Sequence, residues 1–131
     1  MDVDDLERQH TLGSAVRRYE ELRARDSLAD PDDPQGLRPL DRDEALELLA
    51  LGEVIARRAA QGRQLTVRTA RTTGASWAQI GRALGATRQS AWEAHRRWID
   101  AQVARRNQSD HMGFDDDEAA EARALLANDA D

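Results

Sequence analysis

Apolar positions recur at helical spacing through most of this chain. Over residues 4–25, Leu12, Val16, Tyr19 and Leu22 follow at steps of four, three and three, a narrow seam along one helix. Arg17, Arg18, Glu20, Glu21, Arg23 and Arg25 surround the seam, and Gly13 weakens the helix slightly. Two uses of the seam stand side by side: packing onto the protein's own core, or pairing with the same helix of a second chain. The pattern then lapses over residues 27–39, which hold all three prolines, Gly36 and the acids Asp30, Asp32 and Asp33. Proline and glycine break regular structure and short acids favour turns, so this stretch reads as a linker.

A helix restarts at Asp41, a cap whose box partner is Glu44, with Leu40 and Ala45 placed as a hydrophobic staple. It is expected to run to about residue 60 and to stop at Gly62. Leu46, Leu48, Leu49, Leu51, Val54 and Ile55 wrap much of its circumference, which predicts a central helix with neighbours on several sides. A short supporting helix is predicted over residues 64–73, with Leu65, Val67 and Ala70 inward and Arg68 and Arg71 outward, stopped by Gly74.

The stretch 76–98 has the most definite pattern. Ser76 can accept from the free amides that begin a helix, and Gln79 can reach back to it. Ile80 and Leu84 share a face, Gly81 is a small residue where a second helix can cross, and Gly85 supplies a left-handed turn. Thr87 is a second cap, and a helix beginning at Arg88 can continue through Ile99 and Val103 to about residue 106. A polar break at 107–110 precedes a last helix over 116–127, whose sizeable apolar groups are Phe114, Leu125 and Leu126, so that only weak docking is expected. Trp77, Trp92 and Trp98 are expected to close a small core; Trp92 could also lean outward.

The residues Ser76-Trp77, Ile80-Gly81, Ala83-Leu84-Gly85 and Thr87-Arg88-Gln89-Ser90-Ala91-Trp92 resemble the helix-turn-helix of resolvases, of the promoter-reading region of sigma factors, and above all of small actinobacterial DNA-binding proteins. The wider run 44–100 resembles actinobacterial proteins of similar length. Ala86 and Ala91 depart from the resemblance, because such motifs often carry larger apolar residues there; packing then depends more on the tryptophans. The resemblance implies a three-helix unit that reads double-stranded DNA through the start of its last helix.

Charge changes how that implication is weighed. The chain of 131 residues has a formal net charge of −6, which by itself argues against a polyanion partner. The charge is segregated, however. Residues 1–53 carry 7 arginines against 15 acids, residues 54–106 carry 11 arginines against Glu93 and Asp100 alone, and residues 107–131 carry one arginine against 8 acids. The net charges are therefore −8, +9 and −7, a basic middle between acidic ends. The acidic end is expected to compete with non-specific DNA for the basic segment.

Arg88 and Gln89 are the expected base readers, since arginine pairs with guanine and glutamine with adenine through two parallel bonds. Thr87, Ser90 and Glu93 complete the base-contacting set. Arg68, Arg71, Ser76, Gln79, Arg82, Arg96 and Arg97 are the expected phosphate contacts, which give affinity and register rather than sequence choice.

Other chemistry finds little support. His10, His95 and His111 are scattered, the run Asp115-Asp116-Asp117-Glu118 lacks the alternating ligands of a calcium loop, and GRALGATRQS lacks the lysine and spacing of a phosphate loop. No enzyme, cofactor, metal or small-molecule substrate is expected. The absence of cysteine removes disulfide and thiolate chemistry. No apolar run reaches the roughly 20 residues needed to span a bilayer, and the acidic start MDVDDLERQH lacks the parts of a signal peptide, so a cytoplasmic, nucleoid-associated protein is expected.

The predicted fold is all-α: an N-terminal amphipathic helix for packing or dimerisation (1–26), a linker (27–39), a helical core with a central leucine-rich helix and a helix-turn-helix (40–106, motif 76–98), and an acidic C-terminal tail (107–131). The predicted function is sequence-specific duplex DNA binding, as a transcriptional regulator or nucleoid-associated protein. The rival expectation is a protein-interaction adaptor of the same shape that binds RNA polymerase or another regulator.

Overall fold

The computed structural model describes residues 2–109 and 112–127; His111 and the acids Asp110, Asp129 and Asp131 lie outside the described residues. The described residues form six helices and no strand: α1 (Val3–Gln9), α2 (Leu12–Leu28), α3 (Arg42–Thr72), α4 (Trp77–Leu84), α5 (Arg88–Ser109) and α6 (Asp116–Ala127). The protein is all-α. None of these helices is long and apolar enough to cross a membrane. The chain divides into two compact units, residues 1–61 and 62–131, with the division falling within α3.

In the first unit the expected single helix over 4–25 is two helices. His10 leaves α1 in an extended conformation, and Thr11 opens α2 with a reciprocal cap: Thr11 Oγ1 accepts from Ser14 N at 3.1 Å, and Ser14 Oγ accepts from Thr11 N at 3.0 Å. Two satisfied end amides at Thr11 offset the cost of interrupting the helix. The break also moves the seam: Ala15 and Leu22 are fully buried, with Tyr19 packed beside them, whereas Leu12 is exposed.

These residues meet Leu6 of α1 and Leu48, Leu51 and Val54 of α3. The α2 seam is therefore packed within its own unit. At its edge the Arg18 guanidinium grips both oxygens of Glu47, at 2.9 and 3.0 Å, and Arg25 donates to Glu44 at 2.7 Å. Hydrogen bonding to Arg25, and then to the Asp41 cap, holds the Glu44 carboxyl down to about 2.

α3 departs from expectation twice. It runs through Gly62 without a stop, 31 residues long, so the supporting helix expected over 64–73 is its last stretch. An interior glycine costs roughly 1 kcal/mol but ends a helix only where it turns left-handed, and the glycines with positive φ are Gly74, Gly85 and Gly113. Nor is the leucine-rich part buried all round. Leu48, Leu51 and Val54 form the core, while Leu46 and Leu49 are 55% and 72% exposed.

The second unit packs the end of α3, α4, α5 and α6 around two joined clusters. Val67, Trp77, Ile80 and Ala91 form one; Ile99, Phe114, Ala119 and Ala122 form the other, and Leu126 touches both. The expectation of weak docking for the last helix is thereby corrected. Its small side chains Ala119 and Ala122 let α6 approach α5 closely, an arrangement that a search for large apolar groups overlooks.

Candidate nucleic-acid interface

The candidate interface is built on the α4–turn–α5 segment. Ser76 Oγ accepts from Gln79 N at 3.1 Å, and Gln79 Oε1 accepts from Ser76 N at 2.9 Å, which fixes where α4 starts. Gly85 ends α4 at φ 66°, ψ 30°, a left-handed conformation that costs other residues about 1–2 kcal/mol. The following amide, Ala86 N, donates back to Gly81 O at 2.8 Å.

Gly81 is small for a definite reason. A Cβ there would lie 2.9–3.0 Å from the backbone at Ala86, Thr87 and Arg88, too close for backbone to yield cheaply. α5 then begins with Thr87 Oγ1 accepting from Ser90 N at 3.0 Å. The turn is thus set by two caps, one left-handed glycine and one glycine that lets the backbones meet.

This turn places Thr87, Arg88, Gln89 and Ser90 together on the exposed start of α5. Glu93 is half-buried one turn on, and its Oε1 accepts from Gln89 Nε2 at 3.1 Å, so these two candidates form one unit. Arg82, Arg96 and Arg97 are exposed in the same unit, with the Arg96 guanidinium 5.7 Å from the centre of the Trp92 ring and 4.0 Å from Asp100.

Arg71 and Arg68 are used differently. Arg71, expected outward, is buried: Nε and Nη2 donate to Leu125 O at 3.0 and 2.8 Å, Nη1 donates to Ala75 O at 2.7 Å, and the guanidinium lies 5.1 Å from the Trp77 ring centre. Helix C-termini leave carbonyls without intrahelical partners, and a cation there also suits the helix dipole. Arg71 is therefore the clamp on the end of α6, not a side chain offered to a ligand. Trp92 joins it, with Nε1 donating to Leu126 O at 3.2 Å, which settles Trp92 as a packed residue. Arg68 is half-buried, with its guanidinium 6.0 and 5.6 Å from the Trp98 and Phe114 rings.

Beneath the interface, His95 is fully buried, stacked on Trp98 with ring centres 5.3 Å apart and tilted against Trp77 at 5.5 Å. Its Nδ1 lies 2.8 Å from Gln64 Oε1, an acceptor, so the ring proton sits on Nδ1. Burial, and then the charges of Arg68 and Arg71, push its pKa down to about 4. The ring is neutral at pH 7 and serves as core.

Among the described residues no three histidine or acidic side chains gather to hold a metal ion. A shallow hollow lined by Trp77, Arg88, Gln89, Trp92 and Leu126 brings the end of α6 beside the first turn of α5. Nothing in the sequence pattern pointed to that proximity. A scan of family models and searches of curated proteins and of solved structures return no match for this chain.

Proposed function

We propose that α4 and α5 form a helix-turn-helix that reads double-stranded DNA, in a transcriptional regulator or nucleoid-associated protein. The observation that carries this reading is the exposed start of α5: Thr87, Arg88, Gln89 and Ser90 stand together on a helix end that Gly81 and Gly85 aim outward. A helix entering the major groove meets base edges with such N-terminal residues. Arg88 reads guanine. Gln89 reads adenine, with Glu93 orienting its amide. Arg82, Arg96 and Arg97, with the two Gln79 amide hydrogens that its cap leaves over, hold phosphates; Ser76 spends its side chain on the cap. The basic stretch 54–106 supplies the field that draws DNA in.

Fluorescence anisotropy with genomic fragments across a salt series tests the proposal. Binding should weaken steeply as salt rises, and absent or salt-insensitive binding refutes it. Arg88→Ala should cost about 1–3 kcal/mol on the preferred sequence and little on random DNA. An equal loss on both would make Arg88 a phosphate contact.

A further inference from the structure

α3 carries a second apolar line on the face turned away from the first unit's core. Arg42, Leu46, Leu49 and Glu53 stand at steps of four, three and four, the heptad spacing of a helix–helix seam, and all four are exposed. Beside Leu49 the surface dips into a hollow lined by Tyr19, Leu40, Ala45, Leu48 and Gly52. Two successive leucines left in water beside a hollow on a helix that already has a core mark a face built for a partner.

We infer that this partner is a second copy of the chain, with α3 packed antiparallel on α3. The charge order selects the occupant. About a two-fold axis between Glu47 and Leu48, Leu46 faces Leu49 of the second copy and Arg42 faces its Glu53. Two leucine layers are then flanked by two opposite-charge pairs, and each patch complements itself, as a two-fold contact requires. A parallel pairing would set Arg42 on Arg42 and Glu53 on Glu53. A partner of single-sign charge would suit one end of the seam and oppose the other. The α2 seam, whose sequence allows packing or dimerisation, is already covered by α1 and α3, so the role passes to α3.

The inference is independent of the DNA reading, since it uses the first unit alone. Sedimentation of the full chain over a concentration series should show a monomer–dimer equilibrium. Leu49→Glu should abolish the dimer while leaving the thermal stability of the dilute monomer unchanged, because Leu49, 72% exposed, contributes little to its own chain's core. Arg42→Glu and Glu53→Arg should each weaken the dimer at low salt, and the double swap should restore it. The two positions are about 16 Å apart along one helix, too far for a pair within one chain to explain recovery.

Because the chain has no cysteine, mixing Arg42→Cys with Glu53→Cys protein should give a disulfide-linked heterodimer that neither variant forms alone. A monomer at every concentration, which would leave the face to a different partner, overturns the proposal. So does a dimer indifferent to Leu49→Glu, or cross-linking of Arg42→Cys with itself.

Discussion

Arg71 turns its charge inward, and that decides what its removal should do. Arg71→Met keeps the apolar stem but leaves the carbonyls of Leu125 and Ala75 without the donors that now satisfy them. A loss of about 2–4 kcal/mol in a urea titration is expected, since hydrogen bonds from charged donors are worth about 1.5–3 kcal/mol each. In the proposed function, the salt slope of DNA binding by the folded variant should stay unchanged; a phosphate contact would lower it by about one. His95 makes a pH prediction. Its folded pKa, about 4, lies below the unfolded value of 6.5. Above pH 6.5 both states are neutral; between 6.5 and 4 the unfolded chain takes a proton that the folded ring refuses. The contribution of His95 should therefore fall over that window by up to about 3 kcal/mol and change no further below it, where the depressed Glu44 carboxyl continues the loss. His95→Gln should flatten the curve there, and an unchanged curve would mean that the ring is already solvated. No local pattern distinguishes Arg71 from Arg68 or Arg82. What turns Arg71 inward is Trp77 and a carbonyl 54 residues away, contacts that exist only once the chain has folded.

Helix ends made of side-chain caps were readable one by one, because a cap is a local bond: Asp41 with Glu44, Ser76 with Gln79, and Thr87 with Ser90 all form. The Thr11–Ser14 box is equally local, yet the apolar seam that runs past it is also the pattern of one long helix. Gly62 is the reverse case, because glycine marks an end only when the backbone there turns left-handed. That distinction yields a prediction. A Cβ at Gly62 would meet nothing within 4 Å, and its φ is not positive. Gly62→Ala should therefore stabilise the protein by about 0.5–1 kcal/mol, through the lower entropy of the unfolded chain and the better helix propensity of alanine. A loss in thermal or urea stability would show that α3 needs a weak point at that position. The same substitution at Gly81 should destabilise, because there the space is taken by the backbone entering α5.

For the molecule as a whole, the decisive property is the order of charge along the chain rather than its sum. A net charge of −6 hides a +9 stretch, and the fold of the second unit packs α6, with Asp116, Asp117, Glu118 and Glu121, against the helices that carry it. Glu118 and Glu121 share a groove with Arg68, and Arg123 of α6 reaches back to Asp100 of α5 at 3.2 Å. In the proposed function these acids set a threshold: DNA must displace their field before the flanking arginines are fully available. Neutralising Asp116, Asp117 and Glu121 to their amides leaves Phe114, Ala119 and Ala122 in place, so the fold should persist while the field is weakened. Affinity for random duplex should then rise several-fold at low salt, where exposed charges act over roughly 30 Å, and converge with the parent protein at about 1 M salt, where they act over about 3 Å. The ratio of affinities among sequences should stay unchanged, because an added electrostatic term benefits every site alike. Equal affinities at low salt would mean that the acids only solvate α6, whose role would then be the one its buried alanines and the Arg71 clamp already describe.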